Sequence, residues 1–420
     1  MATWTLFHSG SPLNTTYPAR GVQGELSMAS GVSMTYSTVD PHTLSFSIPG
    51  RHPQAADIVP LVSDVLAVRD DFVVQRFRVV SRSISWGSDI SASFSCVSYK
   101  ALVNAWIFHD DSGDKKRWPT ADGSFSAHTA MWDIVNYGQS LAYGTMGMNQ
   151  GHVPALGSVL TAGTLDGVTT ELVTDDYFAA GSSRGEALNH ICNLSAPLVW
   201  DIEPNPSQAY NYMLFHVWRT DSGDGRWTDA PFFASPLALD YGGSVLSGTH
   251  SVDPSEVANV GRFAIVDQAT NTTAAVWYPS SKNPAPVSPA TDVPEGRWER
   301  DYSSEQFASS VAATQAASTI MTTVRKYRPV VSLELRRGRW EGPEQLWLKD
   351  NARVLIRIDT DGDPESTLLD IDEVMKVVEM SISVDQNGAE DVQLTLNRPN
   401  YSADRDLRSI YDRLARRELR

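Results

Sequence analysis

The chain has 420 residues, 41% of them apolar and 20% charged, a balance that describes folded protein and excludes a disordered one. A formal charge of −16 excludes a nucleic-acid clamp, which needs clustered Lys and Arg, but not a surface past which DNA slides. Two cysteines, Cys96 and Cys192, make neither a disulfide framework nor a metal cage and are read as free and buried. No signal peptide and no run of ~18 apolar residues occurs, so synthesis in a cytoplasm is expected.

In chain order, residues 1–60 are rich in Gly, Ser, Thr and Pro, with short alternating runs at Ser27 to Tyr36 and Thr43 to Ile48. A strand meander follows from about Val62 to Phe108, ending in a helical turn at Tyr99 to Trp106. Its centre, Arg78-Val79-Val80-Ser81-Arg82-Ser83-Ile84-Ser85-Trp86, returns near the C-terminus as Lys376-Val377-Val378-Glu379-Met380-Ser381-Ile382-Ser383-Val384, identical at five of nine positions. Strict alternation predicts half-buried antiparallel strands, with Val80, Ile84 and Trp86 on one face and Ala92 and Phe94 on the matching face of the next segment. The same pattern puts Val378, Met380, Ile382 and Val384 beside Val392, Leu394 and Leu396, and Asn387-Gly388 is a strong hairpin turn. Asp64 to Val68 and Asp350 to Ile358 are matched as the strands before each copy. Two copies of one small β-domain are inferred.

From His109 the character changes. Met131, Ile134, Val135 and Leu141 stand at helical spacing, and Ser183 with Glu186 forms a capping box before Leu188, Ile191 and Cys192. A hairpin is predicted from Leu198 to Ile202 and Tyr212 to Trp218. Leu237 to Ala275 returns to alternation, and five prolines between Tyr278 and Gly296 exclude helix there. The longest helix is predicted next, capped by Ser303 and Gln306, with Phe307, Val311, Ile320, Val324 and Tyr327 as its stripe. Ser402 to Arg420 reads as an amphipathic helix with a basic end, suited to an acidic neighbour or to its own dipole.

The fold class is therefore mainly β with an α+β insertion: two similar small β-barrel (tube-like) domains plus two further α+β domains. The divisions are 1–108, first barrel; 109–235, inserted α+β domain; 236–328, strands, Pro-rich linker and long helix; 329–400, second barrel; 401–420, C-terminal helix.

No catalytic, cofactor-binding or metal site is assigned. Gly181-Ser182-Ser183-Arg184-Gly185 fits G-x-S-x-G, but a nucleophile elbow needs a buried strand before it, and Ser183 already serves as a helix cap. Asp359, Asp361, Asp363 and Asp370 fall at positions 1, 3, 5 and 12 of an EF-hand-like loop. Pro364 occupies the place of the required glycine, so an acidic hairpin tip is the first reading and a calcium site the second.

Four stretches resemble the tail-tip, or baseplate, hub proteins of tailed bacteriophages, the minor tail proteins of long-tailed phages of actinobacterial type. They are Phe77 to Ile84 running into Val97-Ser98-Tyr99-Lys100-Ala101-Leu102; Asp240-Tyr241-Gly242-Gly243-Ser244-Val245-Leu246-Ser247 with Asn259-Val260-Gly261-Arg262-Phe263; Gly296-Arg297-Trp298-Glu299-Arg300-Asp301-Tyr302; and Gly342-Pro343-Glu344-Gln345-Leu346-Trp347-Leu348-Lys349-Asp350. Together their order and spacing cover about three quarters of the chain. The family is related in fold to the central hub of contractile tails. The resemblance implies a homotrimer without enzymatic activity, whose two barrels per chain make a pseudo-six-fold ring. A distal tail protein ring and the tail tube would lie above it, and a spike, fibre or tip protein below. The lumen would give room to a tape measure protein and let DNA pass without specific binding. Some members carry a C-terminal peptidoglycan-degrading domain, for which about twenty residues after the second meander leave no room. The competing expectations are a hexameric distal tail protein, which needs only one barrel per chain, and an envelope-directed hydrolase or carbohydrate-binding module, which the many aromatic residues would suit.

Overall fold

The computed structural model describes residues 3–10, 22–37, 40–70, 72–87, 89–107, 117–118, 131, 134–135, 176–177, 183–194, 198–204, 213–219, 237–252, 258–267, 272–280, 298–307, 314, 317–318, 321, 329–336, 351–360, 363–385 and 388–397. The protein is mostly β, with a large curled antiparallel sheet and few helices.

The first meander begins with β1 (Trp4–Gly10), β2 (Val22–Glu25), β3 (Ser30–Ser37) and β4 (Thr43–Pro49), then β5 (Ser63–Arg69), β6 (Phe72–Ser85) and β7 (Ser91–Ser98). Helix α1 (Lys100–Ala105) closes it, where a helical turn was expected. Beyond lie β8 (Arg117–Trp118), β9 (Asp176–Tyr177), α2 (Arg184–Leu194), and the predicted hairpin as β10 (Leu198–Pro204) and β11 (Met213–Arg219). Then come β12 (Leu237–Asp240), β13 (Val245–Val252), β14 (Val260–Asp267), β15 (Thr272–Tyr278) and β16 (Glu299–Phe307). The second meander holds β17 (Pro329–Leu335), β18 (Asn351–Thr360), β19 (Asp363–Val384) and β20 (Glu390–Asn397).

The main sheet runs β13-β17-β20-β19-β3-β4-β7-β6-β5-β1-β2, with β18 and β12 attached beside β19. Its order contains one five-strand arrangement twice: β3-β4-β7-β6-β5, and β13-β17-β20-β19-β18. β13, from the 236–328 segment, thus completes the second arrangement, and β12 from the same segment pairs in parallel with its β18. One continuous apolar core serves both units, with Phe46, Phe94, Met34 and Leu6 from the first and Leu394, Met380, Val354 and Leu333 from the second. Burying each of these side chains contributes about 1.5–3 kcal/mol.

The two copies share an irregularity as well. A bulge in β6 between Val79 and Ser81 leaves Val80 without an opposite residue, and one in β19 between Val377 and Glu379 does the same to Val378. The extra residue flips the alternation, so Val79 and Val377 are the fully buried ones and Val80 and Val378 only half so. This corrects the face assigned to Val80 and Val378. The pairing also shifts the match between the preceding strands. Asp64 stands opposite Arg78, and it is Asn351, not Asp350, that stands opposite Lys376.

A second correction concerns the longest helix. Ser303, Gln306 and Phe307 belong to β16, which pairs in parallel with β14 while Tyr302 stacks on Phe263 at 4.8 Å. Tertiary pairing overrides a local capping pattern there. Helical residues occur later, at 314, 317, 318 and 321, with Ala317 and Met321 buried. Val311, Ile320, Val324 and Tyr327, like Leu141 and the tail 401–420, lie outside the described residues.

Candidate assembly surface

The inserted segment is fastened to the first unit by buried polar groups. His42 Nε2 lies 2.6 Å from the Asp201 carboxylate, both side chains nearly inaccessible. The Lys100 ammonium sits 5.0 Å over the Trp200 ring, whose Nε1–H donates to Asn189. Arg184 donates to the carbonyl oxygens of Ile107 and Ile134. The Ser183 hydroxyl donates to Asn104 O at 2.7 Å and accepts the Glu186 N–H at 3.3 Å, the capping role read from sequence.

Beneath this attachment lies a buried charge network. The Asp64 carboxylate accepts from Arg76 Nε at 2.7 Å, Arg78 Nε at 2.6 Å and the Tyr99 hydroxyl at 2.6 Å. Arg78 also donates to Tyr99 Oη and Leu61 O. Burial opposes the Arg78 charge, but Asp64 and Tyr99 together raise its pKa above the ordinary value; burial beside Asp64 raises that of Tyr99. Burial likewise pushes the Cys96 thiol up, which leaves it an inert apolar side chain.

The candidate calcium ligands are only partly described. Asp359, the last but one residue of β18, is exposed and accepts from Arg357 at 3.1 Å and Thr367 at 3.4 Å; Asp370 is exposed on β19, opposite Arg357. Asp361 and the Asp363 side chain lie outside the described residues. Strands, not helices, flank this tip.

Two features of the wall went unread in the sequence. The first is its polar face. Ser33, Ser45, Ser95 and Ser81 stand opposite one another across β3, β4, β7 and β6, and Ser47, Ser93 and Ser83 form a parallel row, with Ser47 and Ser93 hydrogen-bonded at 2.7 Å. The row continues into the second unit through Ser383 and Asp391, while Glu379, Glu334, Gln393, Thr395 and Thr249 extend the face. No Lys or Arg stands at any of these positions. Strict Ser/Thr alternation opposite the apolar positions was the available signal.

The second is the pair of sheet edges. Within the chain the units meet where β19 pairs with β3, Glu379 opposite Ser37 through Val384 opposite Val32. In the first unit the residues equivalent to Glu379–Val384 are 81–86 of β6 and the residue after it, and all six are exposed. They have β7 on one side and no described strand on the other. Ile84 and Trp86 are 47% and 83% exposed, whereas their counterpart Ile382 is 1% exposed and Val384 half-buried. The register with Ala92 puts Ile84 on the face assigned from sequence. What the sequence could not tell is that no described strand covers it. At the other end of the sheet β13, the counterpart of β3, pairs only with β17 among the described strands, and residues 246–251 are exposed.

No protein-family model matches the sequence, and no curated protein matches it either. Solved structures do. A tail protein from Neisseria meningitidis MC58 matches with a TM-score of 0.53 at 10% identity, over 96% of this chain and 98% of that one. The 43 kDa tail protein of prophage MuSo2 from Shewanella oneidensis matches with a TM-score of 0.53 at 12% identity, over 95% and 99%. Across almost its whole length, then, this chain has the fold of phage tail proteins.

Proposed function

We propose that the protein is the hub of a phage tail tip, a ring of three chains whose six wall units stack on a six-fold tail tube and present three-fold symmetry below. The observation that carries this reading is the joint between β19 and β3. Two like units already sit side by side in one chain, and an edge of the same kind as each joint strand has no partner among the described strands at β6 and at β13. Head-to-tail joints of this sort close into rings. A wall made of pairs closes at six units with three chains, which is what adapting six-fold to three-fold requires.

The polar face suits the lumen. Binding to DNA is driven by Lys and Arg releasing counterions from phosphates, and a hydroxyl face with Glu334, Glu379 and Asp391 offers none of that attraction. DNA passes such a wall without adhering, and a tape measure protein could occupy it beforehand. A distal tail ring and tube above, and a spike, fibre or tip protein below, are the partners this placement implies. The chain acts without catalysing a reaction, Ser183 serving as a cap.

Light scattering on the purified protein tests the reading. The expected mass is three times the 46.1 kDa of one chain. Six chains would favour a distal tail ring instead, and a monomer that stays single with its ring partner present would overturn both.

A further inference from the structure

We infer that the ring closes by antiparallel strand pairing between the β6 edge of one copy and the β13 edge of the next, in the register that β19 and β3 use inside each chain. This rests on the ring reading above and adds the contact that makes it.

The register follows from the pairings. Lys376 to Val384 match Arg78 to Trp86 residue for residue, and the bulges at Val80 and Val378 fall at the same place in that match. On the partner side, Leu44 opposite Cys96 and Val331 opposite Leu396 are equivalent pairs. Met34 stands opposite Leu44 as His250 stands opposite Val331, so β13 superposes on β3 with His250 in the place of Met34. Inside the chain Ile382 faces Met34 and Val384 faces Val32. Between copies, therefore, Ile84 faces His250, Ser83 faces Ser251, and Trp86 faces Gly248.

The side chains fit that register. Trp86, the bulkiest residue on the β6 edge, meets the one residue of β13 that has no side chain. Ser83 beside Ser251 repeats the hydroxyl pair of Ser381 and Thr35 and carries the polar row across the new joint. Open strand edges are ordinarily protected by Lys, Pro or a bulge. The bulges of β6 and β13 fall at Val80 and Leu246, outside the stretch that would pair; within it, residues 81–86 carry one charge, Arg82, and residues 247–251 carry only His250. Uncovered apolar side chains on an unprotected edge call for a partner strand, and β-augmentation supplies its main-chain hydrogen bonds. Leu61, 67% exposed, has its N–H bonded to Val79 O beside this edge and widens the patch that the partner covers.

The test uses the full chain. A Ser83→Cys variant is mixed with a Ser251→Cys variant, and Ile84→Cys with His250→Cys; adjacent antiparallel pairs alternate between closer and wider spacing, so one of the two mixtures presents the closer kind. Oxidation should give linked dimers from mixed chains and none from either variant alone. In parallel, Trp86→Asp changes an exposed residue and leaves the monomer folded by circular dichroism. It should weaken trimer formation roughly 30-fold or more, the scale of a buried aromatic anchor. A trimer by mass in which neither mixture cross-links and Trp86→Asp has no effect would overturn this seam and leave the hub reading standing. A protein that stays monomeric at every concentration and with its ring partner present would overturn both.

Discussion

The two wall units share strand order, hairpin order and the position of a bulge, yet they are stabilised differently. In the first, Asp64 binds Arg76, Arg78 and Tyr99 in full burial, and a buried His42–Asp201 pair fastens the inserted segment. In the second, the described ion pairs among its own residues lie at the surface, Arg353 with Asp372 at 2.8 Å and Arg357 with Asp359 at 3.1 Å, while its Glu390 pairs with Arg69 of the first unit at 2.6 Å. The polar faces differ too. Hydroxyls line the first, while Glu334, Glu379 and Asp391 are added in the second. What the duplicates keep in common is what a joint needs, strand geometry and edge register. What has diverged is what each unit does alone. In a closed ring this divergence would alternate, turning a six-fold wall into a three-fold one.

The comparison can be broken most severely at Asp64. Asp64→Ala leaves two guanidinium groups buried without their carboxylate, and is expected to cost about 3–5 kcal/mol, read as a lowered urea midpoint. Equal loss from removing Asp372 would show that the units are not held differently. Asp201→Ala should cost less, about 1–3 kcal/mol for an orphaned buried group. Its mark should be faster hydrogen exchange in β10 with the main sheet protected as before; uniform loss of protection would mean that the inserted segment and the wall unfold as one.

A smaller effect is set by pH in the first unit. His8 Nδ1 lies 2.6 Å from Gln54 Oε1, which only accepts, so this nitrogen carries the proton, and Nε2 lies 3.1 Å from the Ser63 hydroxyl. Burial lowers the His8 pKa from its ordinary 6.5, against the raising effects of Gln54, Asp57 and Asp64. The unfolded chain therefore takes up the proton first. The contribution is fully present above about pH 6.5 and is lost as pH falls through that value toward the lower folded pKa. Melting temperature between pH 8 and 5 should show an acid-side decline that His8→Gln diminishes. The smallest effect belongs to the second unit. Arg353 and Asp372 are fully exposed, the pair raising the one pKa and lowering the other, so Arg353→Ala should leave melting unchanged and insensitive to salt. A clear drop would place that pair among the supports of the fold.

Much of the wall could be read from period-two alternation, because β-branched and aromatic residues at every second place leave few alternatives to a half-buried strand. The repeat was visible for the same reason. The joint was not. β19 and β3 meet across more than three hundred residues of sequence, and no local pattern records such a pairing. Alternation told which face Ile84 and Trp86 occupy, but coverage of that face depends on a neighbouring strand, and none of the described strands takes that place. The bulges at Val80 and Val378 escaped because one extra residue leaves composition untouched while reversing the faces before it. Ser303 and Gln306 misled in the opposite direction: a sound local helix signal lost to pairing with β14, far away in sequence.

The central claim is that two wall units per chain close as three chains. Averaged images of the purified assembly, viewed down its axis, test it most directly. The account predicts a ring of six lobes that superposes on itself after a third of a turn and only approximately after a sixth. A ring of six lobes, each a whole chain, or particles with no ring at all, would contradict it.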